Sequence, residues 1–213
     1  MNIQFSKVLP HPLSSIQHKS DSIWNADFSI LSGQRILLNA TSGKGKTTFT
    51  HLLMGIRNDY SGVISFNQKD IRELSINDWI EIRKNQISVV YQDLQLFPEL
   101  SAFENVVIKN QLSNALSHEE IEGLFEAVGL IDKKNQITGT LSMGQKQRVA
   151  IIRALCQPFQ WIILDEPFSH LDIENSSICL NLILDRCKKL QSGIILTSLD
   201  VTEIIGFDKQ LIL

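Results

Sequence analysis

The spacing of hydrophobic positions changes several times along this chain. Short apolar runs, many with branched side chains, predict strands at 2–8, 25–30, 35–39, 62–66, 87–91, 160–165 and 193–198. Between them the apolar positions take a helical period. In IEGLFEAVGL, Ile121, Leu124, Phe125 and Val128 stand at i, i+3, i+4 and i+7, one face of an amphipathic helix, and SAFENVVIKN predicts another. Strands alternating with helices favour a mostly parallel sheet flanked by helices. The segments at 25–30 and 62–66 are more hairpin-like and are expected in a smaller antiparallel sheet. No strand pattern interrupts residues 93–140, which read as a helical insertion. The expected organisation is therefore one α/β domain over 1–213, with its core in 1–92 and 141–213 and a helical subdomain at about 93–140.

Composition changes this picture little. The length, 213 residues, suits one large domain with an ample core. A net charge of −3 gives no sign of a nucleic-acid binder. Cys156, Cys179 and Cys187 show no C-x-x-C spacing and lie in apolar segments, as reduced core thiols would in the cytoplasm. The start, MNIQFSKVLPHPLSS, lacks the layout of a signal peptide, and no apolar run approaches the ~18 residues of a spanning helix. The expectation is a soluble chain able to sit against a membrane partner. Ending at DKQLIL, it is expected to lack a C-terminal regulatory domain.

The segment ILLNATSGKGKTTFTHLL, residues 36–53, brings in chemistry. A buried strand runs into a small-residue loop and then a helix. Such a loop can turn converging N–H groups and a helix N-terminus toward phosphate oxygens with little side chain in the way. The loop nearly matches G-x-x-x-x-G-K-[ST], the Walker A pattern. Gly43 and Gly45 permit the tight path, Lys46 can reach the β- and γ-phosphates, and the Thr47 hydroxyl can ligate Mg²⁺. Ala40 stands where the first glycine belongs. Taken alone, the segment also fits a glycine-rich turn with no ligand.

Far down the chain, QWIILDEP is an apolar run that ends in two acids. A strand ending in Asp165 at the sheet's carboxyl edge can hold Mg²⁺, and Glu166 can act as general base toward an attacking water. Charged residues also commonly end strands. The pairing with a phosphate loop favours the catalytic reading.

With LSMGQKQRVAIIRAL at 141–155, the order of motifs becomes specific. It runs phosphate loop, VVYQDLQLFP, LSMGQ, ILDEP and SHLD, and it resembles the ATP-binding subunits of ABC transporters from about residue 20 to the end. The resemblance implies a P-loop NTPase core that binds ATP and Mg²⁺. Two such subunits, as a homodimer or heterodimer, would sandwich two ATP molecules and drive transmembrane permease subunits from the cytoplasmic face of the membrane. It implies ATP contacts at Thr41, Ser42, Gly43, Lys44, Gly45, Lys46, Thr47 and Thr48. Metal contacts would come from Thr47, Gln92 and Asp165, and Glu166 would be the catalytic base. Ser142, Gly144 and Gln145 would touch ATP held by the partner subunit, and Asp172 would cross the dimer. Ser142 also reads simply as the N-cap of a helix starting near 143. The run VVYQDLQLFPELSAFENV looks most like importers and the lipoprotein-release, macrolide-export and cell-division branch. Around it, Phe97, Pro98, Leu100 and Phe103 are candidates for the permease-facing surface.

Three positions depart from the family pattern: Ala40, Met143 in place of the first signature glycine, and Leu199 in GIILTSLD where a histidine is usual. Leucine cannot donate a hydrogen bond to the γ-phosphate. This motivates an alternative: a weakly hydrolytic, ATP-dependent regulatory switch of the same fold. Glu166 argues for turnover instead. His170 reads as a spacer or surface histidine. The family stacks an aromatic ring on adenine; here Phe5, His11 and His18 are the candidates, with Phe5 better suited to the core. A chromosome-organising relative would need a long coiled coil, a translation factor usually carries two ATP domains, and a P-loop kinase has no use for LSMGQ.

Overall fold

The computed structural model describes residues 1–39, 44–197 and 206–213. Its centre is a five-stranded parallel sheet in the order β6-β7-β8-β3-β9, made of β3 (Arg35–Asn39), β6 (Ile87–Val90), β7 (Trp161–Asp165), β8 (Gly193–Thr197) and β9 (Lys209–Ile212). β7 and β8 are buried along their whole length, as continuous apolar runs in a doubly covered parallel sheet must be. A second, antiparallel sheet has the order β2-β1-β4-β5, from β1 (Ile3–Pro10), β2 (Asp27–Ile30), β4 (Tyr60–Phe66) and β5 (Lys69–Asp70).

The small sheet is thus built around β1. β2 and β4, the two segments read as hairpin-like, do not pair with each other; each pairs with β1, so Phe5 faces Phe28 on one side and Ile64 on the other. Phe5 stacks on Phe28 at 4.6 Å and on Phe49 at 5.2 Å, locking the small sheet against α1 (Lys46–Leu53). A buried phenylalanine contributes about 1.5–3 kcal/mol by leaving water. β5 and β9 are strands that the hydrophobic pattern did not predict.

Helices cover the other face. Between β6 and β7 the chain forms α3 (Ala102–Asn110), α4 (His118–Ala127) and α5 (Met143–Leu155), and α6 (Ile173–Leu190) follows β7; α2 (Ile76–Glu81), before β6, lies instead on the small-sheet side, where Trp79 meets Phe66. In α4, Ile121 and Phe125 are buried as the amphipathic pattern requires, with Val128 just beyond. Ser75, Ser101, Ser117 and Ser142 each close a reciprocal capping box at a helix start, a device that typically stabilises a helix by about 1 kcal/mol. The three cysteines are free and buried, and burial pushes the Cys156 and Cys179 thiols up to about 12. No described helix is long and apolar enough to cross a membrane.

Candidate functional site

The strand order explains how distant motifs meet. β8 lies between β3, which leads into the phosphate loop, and β7, which ends in Asp165. Register pairs Asp165 with Thr197. The loop, the acid and a threonine hydroxyl therefore share one carboxyl edge of the sheet, the usual place for a ligand in an open α/β fold.

The descending limb of the loop is held from outside. Gly45 has φ +105°, and a Cβ there would fall 2.7 Å from Leu13 Cδ1 and 3.1 Å from Trp24 Cζ2. Trp24 Nε1 donates to the Lys44 carbonyl at 3.2 Å. Glycine is required here by backbone and by space. α1 then starts at Lys46 with no side-chain cap, leaving its first N–H groups for an anion. Ala40, Thr41, Ser42 and Gly43 lie outside the described residues.

Lys46 is buried, and its Nζ lies 2.5 Å from Glu166 Oε1. The second oxygen of Glu166 accepts from Gln92 Nε2 at 3.3 Å. Asp165 is only 1% exposed; its two oxygens accept from Thr197 Oγ1 at 2.7 Å and Thr47 Oγ1 at 3.2 Å. Burial holds the Asp165 carboxyl above its ordinary range, and the two threonine hydroxyls pull it partly back. Leu13, Gly45, Lys46, Thr47, Thr48, Gln92 and Glu166 line one open pocket. Oxygen donors from Thr47, Asp165 and Gln92 suit a hard cation such as Mg²⁺, which takes few protein ligands and completes its shell from phosphates and water. Among the described residues no group of three or more His, Cys, Asp or Glu could hold a metal.

The LSMGQ segment stands apart from this pocket. Ser142 accepts from the Gln145 amide at 3.3 Å, and Gln145 Oε1 accepts from the Ser142 amide at 3.0 Å, so both side chains serve the helix cap. Ser142 is exposed and Met143 is 47% exposed. Gly144 has a reason within its own chain: a Cβ there would meet the His170 carbonyl oxygen at 2.7 Å. Asp172 caps α6, accepting from the Asn175 amide at 2.8 Å. His170 is exposed and shares a hydrogen bond with Ser169. Leu199 lies outside the described residues.

Of the adenine-stacking candidates, Phe5 is core, His11 is exposed, and His18 bonds the Leu13 carbonyl at 2.9 Å. The upstream residue that lines the pocket is Leu13. No motif points to Leu13, Trp24 or Thr197; Thr197 alone was within reach, because the matched apolar runs WIILD and GIILT put the two strand ends side by side.

A larger cavity, about 440 Å³ against about 230 Å³ for the phosphate pocket, lies elsewhere, between α1, β6, α3 and α5. Met54, Tyr91, Phe97, Ile108 and Leu112 give it apolar walls, and Arg83, Lys109 and Arg153 give it charge. Arg153 donates to the carbonyls of Leu94 and Gln95 at 2.6 Å each, and burial lowers its pKa to about 10. Phe97 is half exposed on this groove, whereas Phe103 packs inward toward Phe125.

Three comparisons bear on this arrangement. The profile of the ABC transporter family matches residues 23–169. The lipoprotein-releasing system ATP-binding protein LolD of Legionella pneumophila is 32% identical over 190 residues, covering 88% of this chain and 84% of its own. Among solved structures, a dimeric bacterial ABC transporter cassette, MJ0796, superposes with TM-score 0.76 at 24% identity over 92% of this chain and 87% of its own. A post-hydrolysis dimer of that cassette, bound to ADP and Pi, superposes with TM-score 0.78 at 23% identity, covering 93% and 88%. At these identities the structural likeness shows a shared fold.

Proposed function

The chain belongs to the ABC transporter family as an ATP-binding subunit, and on that premise we propose how its residues divide the work. It is an ATP-hydrolysing motor that binds ATP with Mg²⁺, pairs with another ATP-binding subunit and works with membrane permease subunits. One observation carries the assignment of roles: Thr47 and Asp165, 118 positions apart, are hydrogen-bonded, and Lys46 is paired with Glu166 beside them.

Lys46 and the N–H groups at the start of α1 hold the β- and γ-phosphates, with the loop from Thr41 to Thr48 closing around them. Thr47, Asp165 and Gln92 hold Mg²⁺, which when bound neutralises charge on the phosphate oxygens. Arrival of the phosphates draws Lys46 from Glu166. Glu166 Oε1 is then free to accept the proton of a water aligned with the γ-phosphate. Gln92, bonded to Glu166 and next to the apolar groove, carries the state of the site to a permease segment docked there. Ser142, Gly144 and Gln145 present the start of α5 to ATP held by a second copy of the chain, and Asp172 reaches across the same interface. The division into a core of 1–92 and 141–213 and a helical subdomain near 93–140 lets the two halves move against each other on closure. The subunit lies peripherally on the cytoplasmic face of the membrane.

The test is Mg-ATP turnover by the purified chain, read together with ATP binding. Glu166→Gln is expected to lower turnover about 10²- to 10⁴-fold while ATP still binds. Leu199→His is expected to raise it. Undetectable native turnover that Leu199→His restores, with binding intact throughout, identifies the regulatory switch instead.

A further inference from the structure

Glu166 sits on an unusual backbone. Its φ is +49°, in the left-handed region that a non-glycine residue seldom adopts, and such a conformation persists only where surrounding structure over-determines it. On the amide side, Glu166 N donates to both the carbonyl and the hydroxyl of Thr197 at 3.1 Å. On the carbonyl side, Gln147 Nε2 donates at 3.1 Å and the Ser169 amide, within the same turn, at 3.4 Å.

Gln147 is fully buried, a rare place for an amide side chain. Among the described residues its side-chain bonds all go to one short segment after β7. Besides the Glu166 carbonyl, Nε2 reaches Ser169 Oγ at 3.5 Å, and Oε1 accepts the His170 amide at 3.0 Å. It lies within the first turns of α5, beyond the Ser142 cap, and on the same helix Gly144 leaves room for the His170 carbonyl. The helix that carries LSMGQ therefore grips both ends of the turn that aims Glu166.

We infer that Gln147 is a positioning residue for Glu166: its amide fixes the strained peptide so that the carboxylate points at Lys46 and the phosphate pocket. Without it the His170 amide loses its partner and the Glu166 carbonyl keeps only the longer bond from the Ser169 amide at 3.4 Å, so the turn relaxes toward an ordinary backbone. The carboxylate then leaves its in-line position, while Lys46 and the helix N-terminus still hold phosphate. This inference rests on the reading of Glu166 as the base.

A second buried glutamine supplies the control. Gln157 is 1% exposed and its Nε2 donates to the Ile87 carbonyl at 3.0 Å, away from the pocket. Gln147→Met and Gln157→Met each replace a buried amide by an apolar chain of similar length. Steady-state turnover, ATP dissociation constant and melting temperature are measured for both. Gln147→Met is expected to bind ATP within about twofold of the native constant and to lose kcat roughly 10- to 100-fold, the scale of a misplaced reacting group. Gln157→Met is expected to melt lower yet keep kcat within about twofold. A Gln147→Met protein with native kcat overturns the inference, as does one that loses ATP affinity and kcat in step. Should Gln147→Met not fold, Gln147→Glu, which keeps the side-chain volume and the acceptor for His170, is read by the same criteria. Glu166→Gln in the same assay separates the two claims. Native turnover there removes the base and this inference together; abolished turnover beside a native Gln147→Met removes this inference alone.

Discussion

The phosphate pocket and the start of α5, which the proposed function joins in one catalytic apparatus, are built on opposite plans. In the pocket the polar side chains answer one another: Lys46 meets Glu166, Glu166 meets Gln92, and Asp165 meets Thr47 and Thr197. At the start of α5 the side chains of Ser142 and Gln145 cap their own helix, and Ser142 and Met143 are exposed. The described polar side chains of the pocket are thus already paired with one another. The helix start is complete as a fold element, and in the proposed dimer it faces the ATP of a second copy. Their shared hardware is the turn at 166–170, held by Gln147 and packed on Gly144.

The sharpest way to break this contrast is Lys46→Ala. It removes the phosphate contact and leaves Glu166 without its cation, so ATP affinity is expected to fall at least about 100-fold. An affinity within tenfold of native would show that the loop amides alone define the pocket. Gly144→Ala comes next. Its methyl would press on a backbone carbonyl, so the turn at 166–170 must shift; turnover is expected to drop roughly tenfold with ATP binding by the isolated subunit unchanged. Equal loss of both would mean that the two ends are not separable.

The smallest effect concerns stability. Burial raises the Asp165 carboxyl above its ordinary value of 3.8. The folded chain thus holds this proton more tightly than the unfolded chain, and the group's contribution to stability falls as pH rises from 3.8 through the raised value. At neutral pH the ionised carboxylate is a cost in the nucleotide-free protein. Asp165→Asn is expected to melt about 2–4 °C higher at neutral pH, a gain of about 1 kcal/mol, and to lose Mg-dependent turnover. The gap should narrow in mild acid. A lower melting temperature at neutral pH would show that the two threonine hydroxyls outweigh burial.

Much of the fold was legible because β3, β7 and β8 each carry an apolar run that ends in a polar residue, Asn39, Asp165 and Thr197, at the sheet edge. β9, KQLI, was not. Two polar residues followed by two apolar ones become a strand only because β3 offers a free edge. β5 has two residues and exists through its pairing with β4. The central place of β1 also escaped prediction, since an isolated strand pattern names no partner. In the site, Lys46, Thr47, Asp165, Glu166 and Gln92 stood out because their chemistry is written in short local motifs. Gln147, Thr197, Leu13 and Trp24 act by where they lie against those residues, and ordinary side chains of that kind carry no mark of it in one dimension.

In the proposed dimer one subunit's pocket is completed by the other's LSMGQ segment, and mixing two inactive variants tests this directly. Glu166→Gln removes the base. Ser142→Asp keeps a good helix cap but sets a negative charge against the partner's phosphate. Each alone should lack turnover while binding ATP. In an equal mixture half the dimers are hybrid, and each hybrid joins a native pocket to a native signature at one of its two sites, so roughly a quarter of the native rate should return. A mixture as inactive as its components, or a Ser142→Asp protein that turns over at the native rate, would contradict it.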